Sequence, residues 1–377
     1  MIDRDREAIA RVRLHLGTLH HGELAERLVA RFGSAADVFT RPRRELVDIE
    51  GMTGRALERL LSAATARLAE GEVRRAEREG IRVLLSGREG WPPALIGLPQ
   101  MPLVLFVRGG LEPRDTLSVG VIGSRRPSPY GMRQARRFAE ALSGWGVAVV
   151  SGLARGIDGA AQQAALDAGG RTIAVLGSGL GRIYPPEHAR LAARIVGGRG
   201  AVISEFPFDS APRSFHFPQR NRLLSGLSAL LLVIEAGERS GSLITVDWAL
   251  RQGKSVWVLP GRIDQPQALG ALKLLRDGAS PALAPEDLAF ELGVTAAAAG
   301  AEGKGAGSAA ARTGSVASLP GPLGEGMARL FEEEDAWHAD HIAARLEVEP
   351  SVLLAELARL EAEGHLLRDA SGAYVRG

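Results

Sequence analysis

Leu117-Ser118-Val119-Gly120-Val121-Ile122-Gly123-Ser124-Arg125-Arg126-Pro127-Ser128 begins as an uncharged apolar run, breaks at a glycine and ends on two arginines. A helical pattern follows from Tyr130 to Ser143. A strand that is apolar on both faces and leads at once into a helix reads as one βα unit of a parallel sheet covered on both sides. The alternation repeats along the chain. Strands are predicted at Leu103 to Val107, Val147 to Val150, Thr172 to Leu176, Ala201 to Ile203, Ala229 to Ile234 and Val256 to Leu259. Helices are predicted at Asp158 to Ala168, Glu187 to Ile195, Leu243 to Arg251 and Ala268 to Asp277. Residues 79–292 therefore read as a doubly wound, Rossmann-like α/β domain at the centre of the chain.

The flanks read differently. Residues 1–78 carry short helical patterns, Arg4 to Leu19, Gly22 to Phe32, Arg43 to Ile49 and Gly54 to Ala69, the last capped by Thr53. The helix, Gly51-bounded turn and helix between Leu46 and Ala56 resemble a SAM-like or helix-hairpin-helix unit. Such turn amides can touch phosphate, or the unit can serve packing and protein contact alone. Residues 293–322 are mostly Ala, Gly and Ser and predict a flexible linker. Residues 323–377 give three helix patterns, Gly326 to Phe331, His338 to Leu346 and Ser351 to Glu363, then short strands at Leu366 to Arg368 and Ala373 to Arg376. This is the outline of a winged helix. Its third helix carries Arg359 against Glu356, Glu361 and Glu363, a balance that repels a phosphate backbone, so protein contact is the preferred role.

Composition removes several classes. The 377 residues include no cysteine, which excludes disulfides, thiolate zinc sites and cysteine nucleophiles. The eight histidines are scattered, with only His338 and His341 at helical spacing, and no metal site is expected. The charged start Met1 to Arg6 lacks a signal peptide's apolar centre. No apolar stretch reaches the roughly 18 residues of a membrane span, so a cytoplasmic protein is expected. The net charge of +2 hides a segregation: the part from Leu323 onward carries −7, leaving +9 on residues 1–322. Lys254, Lys273 and Lys304 are the only lysines, so the positive charge is almost all arginine, which GC-rich coding alone could also produce.

In an open α/β sheet, ligands bind where strands end and helices begin. Those loops are Gly123 to Ser128, Ser151 to Gly156, Gly177 to Arg182, Ser240 to Ser242 and Pro260 to Arg262, together with His216-Phe217-Pro218-Gln219-Arg220-Asn221-Arg222. Small residues let backbone amides approach an anion, and helix N-termini favour it. Arg125, Arg126, Arg133, Arg136 and Arg137 follow one another from Gly123 to Arg137 with no acid among them. Many anion-ready loops on one sheet edge suit a ligand with several spaced phosphates, and an arginine-flanked phenyl ring suits an unpaired base. Phe217 could equally be a core anchor, with Arg220 and Arg222 at a solvated helix start. Neither a Gly-x-Gly-x-x-Gly fingerprint after the first long strand nor a Walker A sequence is present, so no nucleotide cofactor is expected. Asp158, Glu205, Glu235 and Asp247 lie near strand ends, as acids do in sugar-nucleotide hydrolases on this fold. Spacing places no pair of them, and capping or arginine pairing is the preferred reading. No catalytic residue is assigned, and the alternative is a phosphoribohydrolase-like nucleotide-processing enzyme.

Gly123-Ser124-Arg125 through Tyr130-Gly131, Ser151-Gly152-Leu153-Ala154-Arg155-Gly156-Ile157-Asp158, Ile183-Tyr184-Pro185, Ser204-Glu205-Phe206-Pro207, Phe217 to Arg222, Ser240-Gly241-Ser242-Leu243-Ile244-Thr245 and Pro260-Gly261 together resemble the DNA-processing protein A (DprA/Smf) family. The resemblance covers roughly residues 80–290, with the motifs in order. It implies a non-catalytic protein that binds and protects single-stranded DNA during natural transformation, helps load the RecA recombinase, and forms a homodimer through its Rossmann-like domain. Carried onto this chain, Arg125, Arg220 and Arg222 would hold phosphates and Phe217 would face a base, while Arg213 stands where the family places a basic residue. Arg126, Asn221, Ser124, Ser151, Gly152, Ser240 and Gly241 complete the expected DNA-binding set. Gln162 departs from a His common in the family, which argues further against chemistry. Leu272 departs from a usual Asn, and no site is carried there.

Overall fold

The computed structural model describes residues 2–19, 22–198, 200–294 and 323–376, the last without 324–325, 328–329, 332–335, 338, 347, 364 and 369–373. It divides into two units, Met1–Glu302 and Gly303–Gly377. The first begins with six helices: α1 (Ile2–Gly17), α2 (Gly22–Phe32), α3 (Ala35–Val38), α4 (Arg43–Val47), α5 (Gly54–Leu61) and α6 (Ala63–Arg78). Short polar side chains start three of them, with Ser34, Thr53 and Ser62 accepting from the amides of Asp37, Ala56 and Thr65.

A nine-stranded sheet follows, built from β1 (Arg82–Leu85), β2 (Val104–Gly109), β3 (Ser118–Ile122), β4 (Ala148–Ser151), β5 (Thr172–Val175), β6 (Ala201–Ser204), β7 (Leu230–Val233), β8 (Ser255–Val258) and β9 (Ser280–Pro281). Its order is β1-β2-β6-β5-β4-β3-β7-β8-β9. The run from β6 to β9 is parallel, as the apolar strands predicted, but β2 lies antiparallel to both β1 and β6, so the sheet is mixed. Strands β3, β4, β5, β6 and β7 are each fully buried, the condition for their near-continuous, uncharged apolar sequence, and the hydroxyls of Ser118, Ser151, Thr172 and Ser204 donate to backbone carbonyls. Helices α7 (Pro129–Gly144), α8 (Ile157–Asp167) and α13 (Pro285–Leu292) pack one apolar layer, through Phe138, Ala161 and Leu288. Helices α10 (His216–Leu227), α11 (Ser242–Arg251) and α12 (Leu269–Arg276) pack another, through Leu224, Val246 and Ala271. Helix α9 (Ala189–Gly197) lies against β2, β5 and β6.

The change of element type at residue 78 is not a break in the core. Val12, Leu14, Leu60 and Ala69 from the helices join Phe106, Val202 and Phe208 of the sheet region in one buried cluster. A buried carboxylate strengthens the seam: Glu72 on α6 accepts from the Phe208 amide at 2.7 Å. Burial pushes that carboxyl up to about 7 against the opposing pull of this amide and of Arg75.

The second unit contains helices Ala339–Leu346 and Pro350–Ala362 and a three-stranded antiparallel sheet in which Tyr374–Arg376 pairs with both Ala336–Trp337 and Leu366–Arg368. Ile342, Leu353, Leu357, Leu360, Leu366 and Tyr374 form its core. The expected linker, from residue 295 onward, and His338 lie outside the described residues.

Candidate nucleic-acid interface

The sheet's connections run outward from β3 through β4, β5 and β6, then return to β7 on its other side. A crevice forms at such a switch point, outside the carboxyl ends of the strands. Here it is an open cleft of about 940 Å³, walled by the β3–α7 loop, the N-terminal half of α10 and the β7–α11 loop.

Helix α10 is the element the sequence hid. Pro218 at its third position suggests a loop, yet the first turn of a helix tolerates proline because its amides have no intrahelical acceptors. The helix places Phe217, Arg220, Asn221 and Leu224 along the cleft. Phe217 packs over the backbone at Gly177, where a Cβ would come within 2.7 Å of the ring, so this strand end accepts only glycine. The Arg125 guanidinium lies 5.1 Å from the centre of the same ring, and Tyr184 meets it at 5.8 Å with the planes tilted by 53°.

Below this surface the charges are internal. Arg220 is only 3% exposed and donates to the carbonyls of Gly152, at 2.9 Å, and of Val175, while its Nε reaches Asn221 Oδ1 at 3.2 Å. Burial pulls the Arg220 guanidinium down to about 10, which Asp158 opposes and Arg125 reinforces. Burial raises the Asp158 carboxyl, against the pull of Arg220, the amides of Gly152 and Ala154 and the Ser151 hydroxyl. A Cβ on Gly152 would fall 2.5 Å from Arg220 Nη2 and 2.7 Å from Asp158 Oδ2. Arg220 therefore ties the ends of β4 and β5 beneath the cleft and remains cationic at neutral pH.

Three expected DNA ligands are already engaged elsewhere. Arg222 leaves the cleft for the opposite side of α10, where it grips buried Glu205 with two bonds of 2.6 Å and donates to the carbonyls of Gln100 and Gln219. Ser151 is buried and donates to the Val121 carbonyl at 2.7 Å. Gly152 gives its amide to Asp158 at 3.0 Å and its carbonyl to Arg220. All three have interior partners, and of them Gly152 lines a small notch beside the cleft.

The remaining residues do meet at the cleft. Arg125 and Arg126 stand exposed, and the Ser124 hydroxyl accepts from the Arg126 amide at 3.0 Å, which fixes the loop. Asn221 donates weakly to the Gly241 carbonyl at 3.5 Å, and Ser240 and Ser242 share a 2.5 Å hydroxyl contact beside it. Gly241 is open: a Cβ there would meet nothing within 4 Å. Arg213 is exposed at the edge, 5.9 Å from the Phe215 ring, next to Pro212 and Ser214 of the cleft wall.

Arg239 and Tyr184 also line the cleft and escaped the sequence reading. Arg239 lies one residue before Ser240 and next to Glu238 in the sequence, which makes the local charge balance neutral there. Tyr184 was visible only inside Ile183-Tyr184-Pro185. Arg125, Arg126 and Arg239 make no ion pair among the described residues. The acids near the strand ends have structural partners: Glu235 accepts from the Ser128 amide at 2.9 Å and its hydroxyl at 2.5 Å, anchoring the start of α7, while Asp247 is exposed on α11. Gln162, at the departure from a family His, is buried and links the Leu153 amide to the Ile173 carbonyl.

A family model for DNA recombination-mediator protein A matches residues 82–293. Protein Smf of Escherichia coli is 44% identical over 238 residues, 63% of this chain and 63% of its own length, so the match spans less than two thirds of that relative. Protein Smf of Synechocystis is 34% identical over 274 residues, 72% of this chain and 69% of its own. Among solved structures, DNA processing protein A from Streptococcus pneumoniae superposes with a TM-score of 0.64 at 31% identity, covering 74% of this chain and 95% of that one. The Helicobacter pylori protein, whose structure concerns its single-stranded DNA binding mode, gives 0.51 at 30% identity, covering 56% and 95%. With its sheet, its cleft and more than half of its residues matched in this way, the chain belongs to the DNA recombination-mediator protein A family.

Proposed function

We propose that this chain is a single-stranded DNA-binding recombination mediator and that the cleft at the β3/β7 switch point is its DNA groove. The observation that carries this is that exposed Arg125, Arg126 and Arg239 line one cleft with the Phe217 ring, over which Arg125 lies, above a buried Arg220. Exposed arginines without acidic partners gain counterion release on a phosphate backbone, and an aromatic face accepts any unpaired base. Ser124, Asn221, Ser240, Gly241 and Arg213 supply polar and basic contacts along the same groove. The Helicobacter pylori relative's single-stranded DNA binding supports the ligand class.

Its role is non-catalytic on this reading: Asp158 lines the floor of the cleft but is engaged by the Gly152 amide and faces Arg220, and Glu235, held by Ser128, does not join it in the cleft lining. RecA loading, protection of incoming DNA during transformation and cytoplasmic location come with the family reading. Homodimerisation through the central domain fits the exposed Leu283 and Phe290 that follow the sheet's edge strand β9. Residues 1–78 are read as SAM-like and 323–377 as a winged helix that contacts protein. Arg359 of the latter is bound to Glu356 and Glu363, which leaves it little attraction for phosphate.

Fluorescence anisotropy with labelled oligothymidylates of graded length, against duplexes of equal length, tests the groove. Affinity should rise with strand length, favour single strands and fall with salt, each phosphate contact adding about 0.7 to the log-log slope. Arg125→Ala should reduce that slope by about 0.7 for all base compositions. Equal affinity for a mononucleotide and a long strand would instead favour a nucleotide-processing enzyme.

A further inference from the structure

Phe217 is not the end of the groove. A small notch adjoins the main cleft and shares Arg125, Ala154, Tyr184 and Phe217 with it, so the two are parts of one surface. The rest of its lining is Gly152, Arg155 and Pro185. Arg155 sits in the β4–α8 loop with its guanidinium 6.0 Å from the centre of the Tyr184 ring. It also bonds the Tyr184 side chain, so a second arginine–aromatic pair stands one step along from Arg125 on Phe217, held by the phenol rather than over the ring face. The two aromatic rings touch at a tilt rather than lying parallel, so they offer differently directed faces instead of sandwiching one base.

The acidic partner also separates the two arginine–aromatic pairs. Arg125 has no acidic partner among the described residues, whereas Arg155 is bound to Glu187 at 2.5 Å. Both members of that pair are about half exposed, at 54% and 49% of their side chains. An exposed ion pair of this kind is weak, and a phosphate can replace the carboxylate without a desolvation cost. The notch measures only about 20 Å³, space for a water molecule and not for a nucleotide, and Glu187 bears on it through Arg155 rather than by lining it.

We propose that Arg155 and Tyr184 form a further nucleotide subsite of the groove, kept closed by Glu187 until a phosphate of the bound strand displaces that carboxylate from Arg155. The subsite rests on the reading of the main cleft as a single-strand groove. It makes Glu187 a built-in competitor: strands too short to reach the notch leave the ion pair closed, and longer strands exchange it for a phosphate and a stacked base.

The test is anisotropy with oligothymidylates of graded length on the full chain and on Glu187→Gln, Arg155→Ala, Tyr184→Ala, Arg155→Ala/Glu187→Gln and Phe217→Ala. Glu187→Gln should bind long strands several-fold more tightly and short strands as the wild type does. Arg155→Ala should lower the salt slope on long strands by about 0.7. Tyr184→Ala should weaken long-strand binding by about 5- to 100-fold, the range for one lost stack, with little change for short strands. The gain from Glu187→Gln should vanish when Arg155 is already alanine. A gain that persists in that double variant is a general charge effect and overturns the subsite, as does wild-type binding at every length by both Arg155→Ala and Tyr184→Ala. If those two bind as wild type while Phe217→Ala is impaired, the groove stands and only the subsite falls. If Phe217→Ala also binds as wild type, the cleft reading falls and takes the subsite with it.

Discussion

Arg222→Ala separates this structural arginine from those that line the cleft. The side chain is 5% exposed and its partner Glu205 1%. Its guanidinium makes two 2.6 Å bonds to the carboxylate and further bonds to the Gln100 and Gln219 carbonyls at 2.6 and 2.7 Å. Alanine removes all four and leaves a carboxylate buried without its cation. Removing one member of a buried pair costs about 3–5 kcal/mol. At about 2 °C per kcal/mol for a unit of this size, the melting temperature should fall by roughly 6–10 °C. The folded protein should still bind single strands with the wild-type salt slope, because Arg222 does not reach the cleft. Arg125→Ala should do the reverse, shifting stability by less than about 0.5 kcal/mol while lowering the slope. Replacing both partners, as in Arg222→Met/Glu205→Gln, should recover much of the lost stability, since no lone charge stays buried. Scanning fluorimetry and salt-titrated anisotropy on the same preparations read both quantities. An Arg222→Ala protein that melts normally but loses about 0.7 of salt slope would refute the assignment.

Three more outcomes follow from the geometry. Phe217→Ala should cost about 1–3 kcal/mol of single-strand affinity and leave the salt slope nearly unchanged, as measured by anisotropy across a salt series. Gly152→Ala should destabilise the protein by about 1–3 kcal/mol and weaken DNA binding, because the added Cβ displaces Arg220 and Asp158, whereas Gly241→Ala, with open space around it, should leave stability alone. Glu72, whose folded value of about 7 exceeds its ordinary 4.5, binds a proton more tightly in the folded state. Stability therefore falls as pH rises through that window, by at most about 2 kcal/mol after solvent screening, and Glu72→Gln should flatten the melting temperature between pH 5 and 8.

The strands were legible because five of them are buried on both faces, and such burial favours the near-continuous, uncharged apolar runs seen at Leu117 to Ile122 and Ala229 to Ile234. Strand direction was not legible: nothing in Leu103 to Val107 distinguishes an antiparallel neighbour from a parallel one, and β2 proved antiparallel. The loops of the site were legible as glycine-and-arginine clusters, and Arg125, Arg126, Phe217, Asn221 and Gly241 do meet at one cleft. The partners of the charges were not, because they come from far along the chain. Glu205 lies 17 residues from Arg222, and Glu235 lies 107 residues from Ser128.

The different fates of Arg220 and Arg222 follow from helical geometry. In a strand, residues two apart share a face, and in a loop they can converge on one anion. On a helix they are turned about 200° from each other. Phe217, Arg220, Asn221 and Leu224, three or four apart, therefore line the cleft, while Gln219 and Arg222 point away from it. On that far side Gln219 donates to the Leu19 carbonyl at 2.7 Å, and His15 of α1 contacts the Glu205 carbonyl at 2.7 Å. The Arg-Asn-Arg sequence thus does two jobs on one helix. Its first arginine ties the floor of the cleft, and its second, through Glu205, locks the back of the same helix against the N-terminal helices. Those helices lie outside the cleft yet fix the helix that carries Phe217, so the orientation of the ring in the cleft is set in part from residues 15–19.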